Sequence, residues 1–283
     1  MESLDWRIAL LVVFAALMHA TWNALVKFGA DRMLTVATVS AMGTSISLML
    51  LPFLTPPARE SWIFLPFGVL THGGFKLFLL LAYGKGELSR VYPMARGLAP
   101  LLVALFSGIA MGEVLGTQNW VGVALISCGL AVLAFEKGLP APGERGSLAF
   151  AVLTGAFIAA YTLIDGLGIR RSGSPFGYIA WLLFLDGIPM VTLTLILRRK
   201  HVAAFFSGGS LLLAICAGVL SLGAYVIVLW AISLGAVAPI AALRETGVIF
   251  AAIIGTVVMR EAFGPRRILA ALLVVIGVAA LSF

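Results

Sequence analysis

The sequence predicts an all-α polytopic membrane protein of ten transmembrane helices, built as two inverted five-helix repeats. Three observations carry that expectation. Of 283 residues, 61% are hydrophobic and only 11% charged, whereas soluble domains carry roughly 25% charged residues; so few charges cannot build a water-facing surface. Apolar runs of membrane-spanning length recur along the whole chain. One ungapped shift lays the end of the first half onto the end of the second.

Taken in order, the apolar runs lie at about 8–28, 34–54, 62–83, 90–111, 118–136, 147–168, 176–197, 209–233, 237–259 and 265–283. Glu2 and Asp5 precede the first run, which continues to about Lys27. A cleaved signal peptide starts with positive charge and has a shorter apolar core, so this run reads as a retained span. Turn-like breaks separate the runs: Thr55-Pro56-Pro57, Gly84-Lys85-Gly86-Glu87, Pro140-Ala141-Pro142-Gly143-Glu144, Ser172-Gly173-Ser174-Pro175 and Phe263-Gly264-Pro265. None could house a soluble catalytic domain.

The longest polar gap, Glu136 to Ser147, divides the chain into units at 1–138 and 145–283. A shift of 148 residues places Arg96 on Arg244 and Glu113 on Glu261, together with Met111 on Met259 and Gly129 on Gly277. Chance matches between apolar helices rarely keep charged residues in step. A shift of 139 aligns the first spans more weakly, placing Trp22 on Tyr161 and Arg32 on Arg171. Five spans is an odd number, so the second half enters from the opposite side. Inverted repeats of this kind place a substrate near mid-membrane, where the halves meet.

The chain at this point resembles the drug/metabolite transporter superfamily, in its ten-helix EamA-type branch. The resemblance rests on His19-Ala-Thr-Trp-Asn-Ala-Leu-Val-Lys27, on Tyr92-Pro-Met-Ala-Arg-Gly-Leu-Ala-Pro100 closed by Glu113, and on Ala238-Pro-Ile-Ala-Ala-Leu-Arg-Glu245 closed by Glu261. It implies a central cavity lined by the first, third and fourth helices and their counterparts, the sixth, eighth and ninth. Tyr92 in the fourth span and Tyr225 in the eighth join the candidate wall on that basis. Substrate identity is left open, because that family handles amino acids, sugars, nucleotide conjugates, drugs and other metabolites.

Charges inside spans are expensive. Lys76, Arg96, Asp165, Asp186, Arg244 and Glu245 all fall within apolar runs. At about 2.5–3.5 kcal/mol each, six unpaired charges would cost roughly 15–20 kcal/mol, more than a typical folding free energy of about 5–15 kcal/mol. They must pair, face water or lie nearer an interface. Arg96 and Arg244 occupy equivalent places and could approach across the pseudo-twofold axis. Two guanidinium groups facing one cavity would suit a carboxylate, phosphate or phosphonate through bidentate hydrogen bonds; the competing reading has Arg244 held by Glu245 or another carboxylate. His19, Trp22 and Asn23 share one helical face and read as a cavity wall. His72 and Lys76 lie one turn apart, as do Tyr161 and Asp165. Asp165 could receive an amino group, accept a coupling proton or pair with an arginine. Asp186, in the seventh span, reads as a structural partner outside the cavity.

Glu113 and Glu261 read as boundary carboxylates capping the turns to the next helix, with proton coupling as the lesser alternative. Pro93, Pro100 and Pro239 lie in or at the start of the fourth and ninth spans. A kink beside Arg96 could act as a hinge or be plain packing geometry. Ala16, Ala20 and Ala24, like Gly108 and Gly112, read as helix–helix contacts. Cys128 and Cys216 are expected to be free, buried thiols.

The net charge of +7 sits at span ends, where it suits anionic headgroups rather than nucleic acid. No G-x-x-x-x-G-K-[ST] loop, metal-ligand pattern or G-x-S-x-G elbow is found in the sequence, and no cofactor is expected. The expectation is therefore a secondary transporter of a small organic metabolite in the cell (inner) membrane, anionic or zwitterionic, such as an amino acid or phosphonate-like compound. A proton or counter-substrate could be the coupling partner, and the chain could be a monomer or a homodimer. A membrane-embedded enzyme acting on lipid-linked substrates and a transporter of cationic drug-like compounds are the alternatives. The basic loop residues favour external termini under the positive-inside rule, whereas the resemblance implies cytoplasmic termini.

Overall fold

The structure, a computed structural model, describes residues 5–28, 31–85, 88–136, 145–207, 210–259 and 264–282. These residues form twelve α-helices and no strand. They are α1 (Trp6–Phe28), α2 (Arg32–Leu50), α3 (Arg59–Trp62), α4 (Phe64–Lys85), α5 (Leu88–Met111), α6 (Thr117–Ala134), α7 (Arg145–Arg171), α8 (Pro175–Ser207), α9 (Ser210–Leu234), α10 (Val237–Arg244), α11 (Gly247–Met259) and α12 (Pro265–Ser282). The short α3 leads into α4 as one span, and α10 and α11 together make another. Among the described residues nine segments are long and apolar enough to cross a membrane. The tenth is α12, eighteen residues that open on Pro265, Arg266 and Arg267. The chain is a multi-pass membrane protein of two inverted five-helix repeats.

The pseudo-twofold relation can be read from α6 and α12. A Cβ on Gly122 would lie 2.8 Å from the Gly277 carbonyl oxygen, and one on Gly129 would lie 2.8 Å from that of Ala270. Gly277 is the repeat equivalent of Gly129, and Ala270 that of Gly122. Each member of a pair thus meets the partner's equivalent, the mark of a self-complementary contact. Rising numbers on α6 meet falling numbers on α12, so the helices run antiparallel, as inverted repeats require. Small residues allow this approach where no hydrophobic force between helices exists. The halves also exchange contacts: α4 packs on α7, and α9 on α1.

Four expectations change. The ninth span is broken: Glu245 and Thr246 form a turn between α10 and α11. The Glu245, Thr246, Val248 and Ile249 amides donate to carbonyls three residues back, at 2.9–3.1 Å, a tightened helical turn of the kind found at functional hinges. The break therefore lies beside Arg244, not beside the prolines of α5, which stays helical through Pro93 and Pro100. Gly112 is a helix stop, not a packing residue. Its φ of 70° is the left-handed conformation glycine tolerates, and its amide returns to the Gly108 carbonyl at 3.0 Å, closing α5 in an αL cap. Cys128 and Cys216 are free but exposed, because the outer surface of a membrane bundle is itself apolar. Finally, α8 runs on to Ser207. No glycine or proline intervenes after Pro189, and its extension buries Phe205 against Leu34 and Ala214.

Candidate functional site

Two helices, one from each repeat, bring charge to one place. Arg96 lies in the first half of α5, Arg244 ends α10, and Glu245 occupies the break that follows. Arg96 Nε is 2.6 Å from Glu245 Oε2, and Arg244 Nε is 3.6 Å from Oε1. Glu245 has 0% exposure, and both arginines are buried. The arginine side chains lie over aromatic faces, Arg96 Cζ 5.7 Å from the Tyr92 ring centre and Arg244 Cζ 5.9 Å from that of Tyr161, placements that ring quadrupoles favour. Two cations share one carboxylate, so the trio keeps one unit of positive charge. Arg96 Nη2 is buried and makes no hydrogen bond among the described residues. Its donor capacity is therefore uncommitted.

A second cluster adjoins the first through Tyr161. The Tyr161 ring stacks on His72 at 4.3 Å between centres. His72 Nε2 is 2.9 Å from Asp165 Oδ2, and the Tyr225 hydroxyl donates to the same oxygen at 2.9 Å. Tyr225 also lies 3.1 Å from His72 Nε2. The trio draws on α4, α7 and α9. Asp165 has 0% exposure, and its Oδ1 has no hydrogen-bond partner among the described residues. Next to it, Lys76 Nζ bonds both Asp186 oxygens, at 3.1 and 2.9 Å. This pair is half-buried and neutral as a unit.

On α1, the polar stripe satisfies itself. The Trp22 indole donates to His19 Nδ1 at 3.1 Å, and the Asn23 amide donates to the His19 carbonyl at 2.7 Å. His19 lies near enough to Arg96 and Arg244 to feel both charges. Five of the six charges flagged by the sequence meet an opposite charge and the sixth, Asp165, is hydrogen-bonded by His72 and Tyr225, which removes much of the insertion cost. Asp186 is a structural partner, as expected of the seventh span, yet its partner is Lys76 from a helix assigned to the cavity wall. Lys76 is therefore no free cation. Arg244 is indeed held by Glu245, but so is Arg96, and the two readings of that residue merge into one cluster.

Glu113 does not cap its own turn. Its Oε1 accepts from Arg170 Nη2 at 2.7 Å and from the Val237 amide at 2.9 Å. Val237 is the first residue of α10, so the carboxylate caps a helix of the other repeat and meets its positive dipole end. Arg170 also donates to the carbonyls of Ile232 and Gly235. Glu113 and Arg170 thereby clasp the α9–α10 turn at the membrane face where α5 and α7 end. Glu261, the repeat equivalent, lies outside the described residues. Arg170 carried no signal in sequence beyond a basic loop position, and Tyr178, buried against α7, carried none.

Among the described residues no three His, Cys, Asp or Glu side chains stand together for a metal ion. A relative described as "Uncharacterized transporter in cobO 3'region", from Sinorhizobium sp, is 37% identical over 78 residues, 28% of this chain and 54% of that protein; the chain spans about half the length of this curated relative. A solved structure titled "Crystal structure of protein" superposes with a TM-score of 0.71 over 96% of this chain and 94% of its own, at 20% identity, a likeness of fold. The profile of the EamA-like transporter family matches residues 6–135 and again 146–283. Taken with two antiparallel repeats meeting at a buried charge cluster, that double match makes this chain a member of the EamA-like transporter family, within the drug/metabolite transporter superfamily.

Proposed function

We propose that the chain is a secondary transporter that carries a small organic anion, or a zwitterion presented through its carboxylate, across the cell (inner) membrane by alternating access. The observation that carries this reading is the charge imbalance at the repeat interface. Among the described residues Arg96 and Arg244 share the single carboxylate of Glu245, leaving the trio one positive charge and Arg96 Nη2 unbonded deep in the bundle. A carboxylate or phosphonate brought there gains charge-assisted, bidentate hydrogen bonds from the arginines. The break after α10 supports the reading, because α11 starts beside the cluster and turns the positive end of its dipole toward it. Lys76, matched by Asp186, contributes no net charge, and a cation would have to displace an arginine from Glu245.

A thermal-shift panel of anions, zwitterions and cations on purified protein tests substrate class, since a binder raises apparent stability by mass action. Stabilisation by anions that Arg244→Gln abolishes, in a protein that still elutes as a folded species, is the expected outcome. Arg244 is the cleaner target, because Arg96 makes the closer contact with Glu245. Stabilisation by cations alone, or an unchanged anion response in both Arg96→Gln and Arg244→Gln, would sink the reading.

A further inference from the structure

We propose that Asp165, held by His72 and Tyr225, is a proton-binding site that takes up one proton when the central site takes an anion. The coupling half of this proposal rests on the anion reading above; the proton site itself rests on geometry. Asp165 is fully enclosed, yet among the described residues it faces no lysine or arginine. Its Oδ2 is held by the His72 ring and the Tyr225 hydroxyl, both at 2.9 Å, and its Oδ1 is buried and unpaired among the described residues. A carboxyl that merely tied helices together would use both oxygens. A buried carboxylate beside an imidazole and a free lone pair is a place where a proton can be added without breaking an ion pair.

The surrounding charges give the proton a reason to arrive. On α4, Lys76 is cancelled by Asp186 of α8. On α5 and α10, Arg96, Arg244 and Glu245 sum to one positive charge, and α1 brings His19 close to them. The tyrosines facing the cluster are Tyr92, Tyr161, Tyr178 and Tyr225, all neutral, and α3 offers only exposed Arg59 and Glu60. The Asp165 carboxylate therefore balances the arginine trio across Tyr161, and the empty site is neutral overall. An anion on the arginines leaves the bundle one charge negative. Uptake of one proton from water, as an O–H bond on Asp165, restores neutrality in a medium where net charge is costly. The same proton returns to water after the anion leaves.

Asp165 lies close to one end of its helix. Asp165 is six residues from the end of α7, about 9 Å at the helical rise. Tyr178, near the start of α8, is entirely buried, and its hydroxyl makes no hydrogen bond among the described residues. That hydroxyl lies against Gly168, one turn beyond Asp165 toward the same face, so close that a Cβ there would overlap the phenol.

pH-difference infrared spectroscopy of the purified full chain reads the site without any ligand. The expected result is a buried carboxyl C=O band that appears as the pH is lowered and disappears as it is raised. It should be lost in Asp165→Asn and retained in Asp186→Asn, and it should shift in frequency in Tyr225→Phe, which removes one donor and is the variant expected to fold most normally. No band, or one lost in Glu245→Gln instead, would overturn the proton site. With that band present, its growth on adding the most stabilising anion of the thermal panel supports the coupling, and its decline overturns it. An Asp165 band in a protein that no anion stabilises would uphold the site while removing the anion reading.

Discussion

The fourth and ninth spans descend from one repeat, yet they differ at the residue that matters most. In α5 the sequence around the arginine reads Arg96-Gly97-Leu98; in its equivalent it reads Arg244-Glu245-Thr246. Gly97 lets α6 approach: a Cβ there would lie 2.8 Å from Leu130 Cβ. α5 stays a single helix despite two internal prolines. At the matching place the other copy carries a carboxylate, breaks its helix and turns the acid inward to serve both arginines. The lesson is that duplication supplied two arginines facing one axis, and divergence at one position supplied a single counter-ion for both. One acid rather than two leaves the Arg96–Arg244–Glu245 trio one positive charge.

The sharpest way to break this comparison is to remove the shared acid. Glu245→Ala would leave two buried guanidinium groups without an anion, and removing one partner of a buried pair costs about 3–5 kcal/mol. The expected outcome is protein that fails to run as a monodisperse species by fluorescence-detected size exclusion, or that unfolds at much lower temperature. Glu245→Gln should be milder, because the amide oxygen still accepts a hydrogen bond. Wild-type melting in Glu245→Ala would mean that the arginines are solvated, and the charge argument would fall.

Next in size is the glycine side of the comparison. Gly97→Ala would push one methyl into Leu130 and toward the Ser127 carbonyl, and overpacking of this kind costs about 1–3 kcal/mol. The same change at Gly73, which has nothing within 4 Å of an added Cβ, should leave the melting temperature near wild type. Equal effects at the two sites would show that the α5–α6 approach is looser than drawn.

The two arginines, the repeat shift and the limits of most spans were legible in the sequence because membrane helices announce themselves by composition, and a charge within an apolar run cannot be hidden. Two kinds of feature were not. Pairing across the bundle was one: nothing in local spacing connects Lys76 with Asp186, or Glu113 with Val237, because those contacts depend on how separate helices rotate against each other. The helix break was the other. The prolines did not locate it: α5 stays helical through Pro93 and Pro100, since neighbours can satisfy the carbonyls a proline frees, whereas the turn after Arg244 is drawn in by the ion pairs of Glu245 and by the Thr246 hydroxyl, which donates to the Leu243 carbonyl at 2.8 Å. Tyr178 lacked any signal, because an uncharged tyrosine near a span end is usually an interfacial anchor.

The smallest effect separates the two copies by length. With 24 residues, α5 is long enough to be held by packing along its whole course, whereas α10 has eight, well short of what sustains a helix unaided. Its N-cap residue, Ala236, makes no side-chain cap, and Glu113 from the other repeat supplies one through the Val237 amide. Glu113→Gln keeps an acceptor for that amide but removes the charge that Arg170 and the helix dipole meet, an effect of about 1 kcal/mol for a partly exposed pair. Faster hydrogen exchange confined to the amides of α10 and the 235–237 turn, with α5 unchanged, is the expected signature. Salt should weaken the wild-type clasp toward the variant, because Arg170 is partly exposed and such pairs are screened. Exchange that rises equally in α5 would place the weakness in the bundle as a whole, and the short half-helix would then owe its stability to Arg96 and Glu245 rather than to its cap.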